Sequence, residues 1–325
     1  MDKAGFLKQR NRLDFASLRE WGILIVFVLI VGILMLLSPS SFARPTNLIN
    51  IVKQASINGI LATGMTFVII SGGIDLSVGS IVALSGVIAA SFAHPGEYPL
   101  IVPIVLSILV GGVAGFLNGI GVAYGNIPPF IVTLGSMTMI RGMALIVARG
   151  SPVFNVTKAF ENIAGGFLFD TIPYLVIYFV VTAAIGAFVL TRTVFGRRVY
   201  SVGGNEMAAK VSGIQVDRIK VAVYSISGFL AGVAGLLLAS RIVSGNPTSG
   251  VSYELDAIAA VVIGGISLSG GSGKWYGAVI GALLIAVIGN GLDILNVSAH
   301  FQLLIKGAII ITAVLLDVKS KGNRT

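Results

Sequence analysis

Ten apolar segments follow one another along this chain, and they constrain its fold more than any other feature. A helix needs about 20 apolar residues to cross about 30 Å of hydrocarbon, and most of the segments approach that length. They occupy residues 22–38, 50–71, 76–93, 99–124, 129–148, 172–190, 219–241, 254–267, 275–292 and 301–317. The pattern predicts an all-α, polytopic membrane protein with about ten transmembrane helices. Segment 254–267 is short enough to be a half-helix or a re-entrant piece.

Two glycine-rich octets indicate an internal duplication. Residues 72–79 read Gly-Gly-Ile-Asp-Leu-Ser-Val-Gly, and residues 264–271 read Gly-Gly-Ile-Ser-Leu-Ser-Gly-Gly. Each octet follows one apolar run and precedes another. Repeated halves with broken helices are typical of solute transporters, in which irregular backbone at membrane depth lies inside protein or along a water-filled cavity. Counting the spans places both octets on the same face of the membrane.

The basic residues predict the orientation of the chain. Only 11% of the residues are charged, and the formal net charge is +9. Most cations lie before the first span, in the loop 191–220 and after the last span, and a ten-span chain places these regions on one side. Because lysine and arginine concentrate in cytoplasmic loops, the charge reports orientation and requires no nucleic acid. We expect a retained cytoplasmic basic segment at 1–21, a single transmembrane domain at 22–317 and a cytoplasmic tail at 318–325.

The long cytoplasmic loop 191–220 is predicted to contain a short helix. Asn205 is a suitable N-cap, the helix reaches about Ser212, and Gly213 can terminate it. Glu206 and Lys210 suit the helix dipole and each other. The helix has a narrow apolar face made of Met207, Ala208 and Val211. It is either a docking element for another protein or a helix on the membrane surface.

Asp75 has two interpretations. The duplication aligns it with Ser267, and both residue types are strong helix N-caps, so capping is the property that the two halves share. An ionisable residue close to the bilayer is also a candidate for the solute path. The other carboxylates near the membrane, Glu254, Asp256 and Asp293, lie near span ends, and the span centres contain no acidic residue.

Close helix packing is predicted where glycines recur at every fourth residue. Gly111, Gly115 and Gly119 form one series, and Gly228–Gly232 and Gly277–Gly281 repeat the spacing. Small residues at this spacing let helices approach closely in a membrane.

Three motifs together resemble the permease subunits of ribose-type ABC importers. They are the octet at 72–79, the loop at 195–214 and the run at 253–265, and the resemblance extends from about residue 37 to 317. It implies a type II importer-like architecture of ten helices in the inner membrane, with both termini in the cytoplasm. It also implies three protein partners: a second copy of this chain, a cytoplasmic ATP-binding subunit and an extracytoplasmic sugar-binding protein. That architecture is usually described with an inverted repeat, which conflicts with two octets on one face.

The resemblance further implies that the loop holds the coupling helix that seats in the ATPase. The coupling residues carried over are Gly203, Gly204, Asn205, Glu206, Ala208, Ala209, Ser212 and Gly213.

The sequence predicts no catalytic, cofactor or metal site in this chain. Residues 270–275 end like a phosphate-binding loop, but Trp275 follows the lysine where serine or threonine is needed, and Leu268 replaces the first glycine. Cysteine is absent, and His94 and His300 are the only histidines, so few metal ligands or nucleophiles remain. We therefore expect ATP and magnesium to bind the partner ATPase.

These observations predict a permease subunit that moves a monosaccharide, ribose or a related pentose or hexose, from a binding protein into the cytoplasm. The alternative is an ion-coupled secondary transporter, which usually has carboxylates deep in the membrane. A sugar path needs hydroxyl and amide groups, and the candidates are Asp75, Ser77, Asn118, Ser267 and Asn290. Asn118 and Asn290 are each followed by glycine, and we expect them at comparable places after the two octets.

Overall fold

The computed structural model describes residues 22–322, with the main chain alone at 316 and 318–322. The predicted segment 1–21 and the tail beyond 322 lie outside the described residues. The helices are α1 Gly22–Leu37, α2 Pro39–Phe42, α3 Pro45–Ile70, α4 Val78–Ser91, α5 Ile101–Ala123, α6 Pro129–Val147, α7 Lys158–Gly165, α8 Tyr174–Arg192, α9 Val194–Gly204, α10 Glu206–Val211, α11 Val216–Ile242, α12 Tyr253–Ile263, α13 Trp275–Ile294 and α14 Ala299–Gly322. Between α7 and α8, strand β1 Phe167–Leu168 pairs antiparallel with β2 Ile172–Pro173.

Each of the ten predicted apolar segments coincides with a helix. In the described part of the chain, 5 helices, namely α5, α6, α8, α11 and α13, are long and apolar enough to cross a membrane by length and composition. Helices α1 and α4 are shorter apolar helices, as is the apolar part of α14. The helical, polytopic membrane fold is therefore confirmed.

Helix α11 is one of the inner helices of the bundle, and it contacts α3, α4 and α5. Its most apolar stretch is 67% buried, whereas the corresponding stretches of α6 and α8 are each 22% buried. Helices α6 and α8 therefore leave most of their apolar side chains on the outer surface, where a membrane protein meets lipid.

Glycines make the close contact between α5 and α11. A Cβ added at Gly111 would lie 2.6 Å from the Cα of Gly232, and a Cβ at Gly115 would lie 2.9 Å from the Cα of Gly228. Gly281 likewise lies against the backbone of Ala260, which joins α13 to α12. The predicted packing role of the glycine series is confirmed.

The segment 243–252, between α11 and α12, runs back into the bundle alongside α4. Gly245 lies against Ala90 near the end of α4, and Gly250 lies against Gly79 at its start. Helix α12 consequently begins inside the bundle and has only 11 residues. The half-helix interpretation of segment 254–267 is confirmed.

Candidate functional site

The first octet turns inward and forms a buried polar network. Asp75 is fully buried, and its Oδ1 accepts hydrogen bonds from the backbone N–H of Ser77 at 3.0 Å and from the Ser77 hydroxyl at 2.6 Å. Its Oδ2 accepts a hydrogen bond from Ser227 Oγ on α11 at 2.8 Å. Asn118 Nδ2 on α5 donates to Ser77 Oγ at 2.8 Å. The network thus joins the α3–α4 connection to α5 and α11.

Asp75 lies inside the helix bundle, so the prediction that it lies at a membrane face is wrong. Its partner Ser227 follows the first residue of α11, Val216, by three helical turns, which corresponds to about 16 Å along the axis. Asp75 lies this deep because the connection between α3 and α4 turns into the bundle before α4 starts at Val78. Sequence counting treats such a connection as a surface loop.

The N-cap interpretation of Asp75 is also wrong in detail. The N-cap position of α4 is Ser77, which makes no side-chain cap hydrogen bond. Asp75 instead closes a turn by accepting from the N–H two residues later, a typical use of aspartate. Ser267 makes the same contact in the second octet, where its Oγ accepts from the N–H of Ser269 at 3.4 Å. The two halves therefore share this turn.

The structure brings together three of the five candidate path residues. Asp75, Ser77 and Asn118 belong to the buried network, whereas Ser267 Oγ donates to Asp317 Oδ2 of α14 at 2.9 Å. Asn290 exchanges hydrogen bonds with Asn47 of α3, at 2.8 and 3.0 Å.

The expected equivalence of Asn118 and Asn290 is wrong. Asn118 contacts the first octet, whereas Asn290 lies in the last turns of α13, far along the helix from the second octet. Sequence reasoning missed Ser227, although it directly precedes Gly228, which contacts α5 closely. A path role for any of these residues remains a prediction.

The predicted helix in the long loop is present as α10. Asn205 is its N-cap, with Oδ1 accepting from the N–H of Ala208 at 2.9 Å. Gly213 follows the helix with a left-handed φ of +82°, a conformation that glycine adopts without steric cost. The cap and the terminator are both confirmed.

The ion pair predicted within α10 is replaced by one to α11. Lys220 Nζ lies 2.7 Å from Glu206 Oε1, so Glu206 pairs with Lys220 and the expected pairing with Lys210 is wrong. The ion pair fixes α10 against the start of α11. Met207 and Val211 are 72% and 82% exposed, which leaves the apolar face of α10 open.

Sequence reasoning did not predict α9. Thr193 caps α9, since its side-chain oxygen accepts a hydrogen bond from the N–H of Gly196 at 3.1 Å. The side chains of Val199 and Val202 form the buried face of α9. Tyr200 of α9 donates its hydroxyl to the carbonyl of Gly273 at 2.9 Å. Burial raises the pKa of Tyr200 above its usual value, so the phenol stays protonated and remains a donor at neutral pH.

The end of α9 lies between the two octets. We call Ile70, Gly72, Gly203, Gly270 and Gly271 the glycine junction. A Cβ added at Gly270 would lie 2.8 Å from the carbonyl oxygen of Gly203 and 2.9 Å from the nitrogen of Gly72. The N–H of Gly271 donates to the carbonyl of Ile70 at 2.8 Å. The start of the first octet and the end of the second octet therefore lie side by side, which agrees with the common face that span counting predicts.

A second group of charged residues surrounds the start of α12. Lys306 Nζ of α14 lies 2.9 Å from Asp256 Oδ2, and the Asp256 side chain is only 8% exposed. Arg141 of α6 donates from Nη1 to the carbonyls of Pro247 and Ser249, each at 2.7 Å. Asp256 lies in the first turn of α12, near the end of that segment as predicted, but α12 begins inside the bundle, so Asp256 is buried there.

A multi-pass helical bundle with inward-turning glycine connections and a short helix that exposes an apolar face is typical of a membrane transport protein. The sequence matches, over residues 47–314, the family described as the branched-chain amino acid transport system / permease component. This chain belongs to that family of permease components.

Three relatives cover nearly the whole chain. The ribose import permease protein RbsC of Bacillus subtilis (strain 168) is 47% identical, over 97% of this chain and 98% of its own length. The ribose import permease protein RbsC of Escherichia coli (strain K12) is 42% identical over 96% and 98% of the two chains. The D-allose transport system permease protein AlsC of Escherichia coli (strain K12) is 38% identical over 92% and 91%. No solved structure matches this chain.

Proposed function

We propose that this chain is the membrane-spanning permease subunit of an ATP-driven importer that moves a monosaccharide, ribose or a related sugar, into the cytoplasm. The observation that carries the proposal is near full-length similarity to ribose import permeases, at 47% identity to the Bacillus subtilis protein. The hydroxyl and amide side chains of Ser77, Asn118 and Ser227 around the first octet are compatible with a neutral sugar as cargo, and the Asp75 carboxylate among them is occupied by three hydrogen bonds.

The proposed complex contains two copies of this chain, a cytoplasmic ATPase that binds ATP and magnesium, and an extracytoplasmic sugar-binding protein. The open apolar face of α10 supports a protein partner on the face that also holds the glycine junction. That face is the cytoplasmic one in our proposal, because it carries Arg197, Arg198 and Lys210 on or beside α9 and α10 and cations concentrate on the cytoplasmic side. Both termini are cytoplasmic in this arrangement.

An ion-coupled transporter is the second candidate, and one observation favours it. Asp75 and Asp256 are buried inside the bundle, and buried carboxylates within spans are typical of proton and sodium pathways. The sequence-based argument against ion coupling assumed that such carboxylates were absent. Their bonding favours structural roles, because Asp75 receives three hydrogen bonds and Asp256 pairs with Lys306.

One experiment separates the two candidates. The chain is reconstituted in proteoliposomes with its ATPase and binding protein, and uptake of labelled ribose is measured with ATP inside the vesicles. An ABC importer takes up sugar only with a hydrolysis-competent ATPase, and ionophores that collapse proton and sodium gradients leave the rate unchanged. Uptake that persists with an inactive ATPase and stops with an ionophore would favour the ion-coupled transporter. A matched assay with D-allose and xylose identifies the preferred sugar.

A further inference from the structure

We propose that the glycine junction is the mechanical link through which α10 displaces both glycine octets together, with Gly203 as the positioning residue. This inference rests on the proposed function, since it concerns how an ATPase docked on α10 would reach the spans. It depends on four contacts: α9 to the first octet, α9 to the second octet, octet to octet, and first octet to the core helices.

The first contact is a backbone approach that only glycine permits. A Cβ added at Gly203 would overlap the carbonyl oxygen of Ile70 and lie 2.7 Å from the nitrogen of Gly271. These two atoms are the acceptor and the donor of the 2.8 Å hydrogen bond between Gly271 and Ile70. Gly203 therefore lies directly over the bond that joins the end of α3 to the second octet.

Tyr200 provides a second connection from α9, one turn before Gly203. Its hydroxyl donates to the carbonyl of Gly273 at 2.9 Å, two residues beyond the second octet and just before α13 begins at Trp275. Helix α9 is thus held to the second octet by a side-chain bond as well as by backbone contact. Helices α9 and α10 are joined at Asn205, which is the C-cap of one and the N-cap of the other.

The first octet continues from the glycine junction to the buried network. The carbonyl of Ile74 accepts from the Tyr224 hydroxyl of α11 at 3.2 Å and from Thr133 Oγ1 of α6 at 3.4 Å. The next residue, Asp75, is bonded to Ser227 of α11 and, through Ser77, to Asn118 of α5. A displacement at Gly72 would therefore reach α5, α6 and α11 within five residues of chain.

The second octet leads to three further helices, α12, α13 and α14. It connects α12 to α13, and Ser267 bonds to Asp317 of α14. Since the octets touch each other at the glycine junction, they move as one body unless the contact breaks. Coupling between sites needs such an element, one whose arrangement both sites can bias.

The adjacent glycines Gly203 and Gly204 allow a sharp test. A Cβ at Gly203 would overlap backbone, whereas the nearest atom to a Cβ at Gly204 is the Cα of Gly271 at 4.0 Å, an ordinary contact. Gly112 of α5 has open space around a Cβ and serves as the control for a helical glycine-to-alanine change. The readout is ribose taken up per ATP hydrolysed, in proteoliposomes holding the permease, its ATPase and its binding protein.

Gly203→Ala is expected to retain ATPase co-purification and basal hydrolysis while uptake per ATP falls at least about fivefold, the lower end of typical coupling between sites. Uptake per ATP should fall less in Gly204→Ala than in Gly203→Ala, and it should equal the wild-type value in Gly112→Ala. Wild-type uptake per ATP in Gly203→Ala would overturn the proposal. An equal loss in Gly203→Ala and Gly204→Ala would also overturn it, since the effect would not follow the backbone contact.

A second variant tests the proposed link if Gly203→Ala does not accumulate in membranes. Tyr200→Phe removes the hydrogen bond to Gly273 and keeps the ring, so folding is expected to survive. It should lower uptake per ATP by about two- to fivefold, for a loss of about 0.5–1 kcal/mol. Unchanged uptake per ATP in Tyr200→Phe would overturn the proposal. A failure of the proposed function is distinguishable, because wild-type protein itself would then take up no sugar with ATP.

Discussion

The Ser227 hydroxyl donates the hydrogen bond that connects α11 to the Asp75 carboxylate. A buried carboxylate needs donors, because an unpaired charge in a low-dielectric interior is costly. Asp75 has donors at both oxygens, from the turn on one side and from α11 on the other. The network therefore stabilises an irregular connection that a membrane interior would otherwise disfavour.

The sequence identified every side chain of this network except the donor Ser227. Asp75, Ser77 and Asn118 are conspicuous because polar residues are rare in apolar runs. Ser227 is not, since hydroxyls on membrane helices commonly bond their own helix backbone, as Ser225 does to Val221 at 2.8 Å. Only the rotation of α11, set by its glycine contacts with α5, decides which serine faces Asp75.

A pair of buried serines tests the network. Ser227→Ala leaves Oδ2 of Asp75 without its donor from α11 and should lower the free energy of unfolding by about 1–3 kcal/mol. Ser85 of α4 is just as buried, and its hydroxyl makes no hydrogen bond among the described residues, so Ser85→Ala should be neutral or stabilising. Unfolding of the purified protein in detergent, followed by circular dichroism, compares the two. Equal losses would contradict a specific role for the Asp75–Ser227 bond.

The two asparagines offer a second comparison at the residue scale, concerning transport. Asn118→Leu removes the donor to Ser77 beside the inward-turning octet, and we expect uptake of ribose to slow by roughly two- to thirtyfold, for an energetic effect of about 0.5–2 kcal/mol. Asn290→Leu breaks the pair with Asn47 instead, so uptake per assembled complex should stay near wild type. Both variants are compared at equal amounts of co-purified ATPase. If Asn118→Leu also imports at the normal rate, Asn118 is a packing residue.

Among the elements, the apolar character and length of the segments located the helix in each of the ten, because apolar runs of this length have few alternatives to a helix in lipid. The sequence did not predict helix α9, because its glycines at 203 and 204 are typical of loops. Its helical state depends on tertiary contact, with Val199 and Val202 buried and Tyr200 bonded to Gly273. The inward course of 243–252 was equally hidden, because it depends on glycine contacts with α4.

Helix α10 carries the prediction that belongs to the element scale. Val211→Asp places a charge on the open apolar face, away from the Glu206–Lys220 pair, and should weaken docking of the ATPase with little effect on folding. Phe169→Asp is the matched control, since Phe169 is 84% exposed and Val211 is 82% exposed, and Phe169 lies in the hairpin loop away from α10. Co-purification of the ATPase should fall about tenfold for Val211→Asp, the effect of about 1.4 kcal/mol, and stay unchanged for Phe169→Asp. If Val211→Asp retained the ATPase as fully as wild type, the apolar face of α10 would be assigned to the membrane surface.

At the scale of the whole molecule, the octets of the two related halves meet at the glycine junction. Their octets differ in course, since the first turns into the bundle while Gly265, Ser269 and Ser272 in and after the second are exposed. Sequence identity between the octets predicted a common face and could not predict this difference. The octets differ in course because Asp75 accepts a hydrogen bond from Ser227 inside the bundle, whereas Ser267 donates to Asp317 of α14.

The orientation of the whole chain can be tested directly because the sequence contains no cysteine. Single cysteines replace Val211 on α10 and Phe169 in the hairpin loop, two positions of nearly equal exposure. A membrane-impermeant thiol reagent should label Phe169→Cys in intact cells and Val211→Cys only after permeabilisation, because basic residues around α9 and α10 favour the cytoplasm. A membrane-permeant reagent should label both, which controls for reactivity. Labelling of Val211→Cys in intact cells would reverse the assignment and move the proposed ATPase face to the outside.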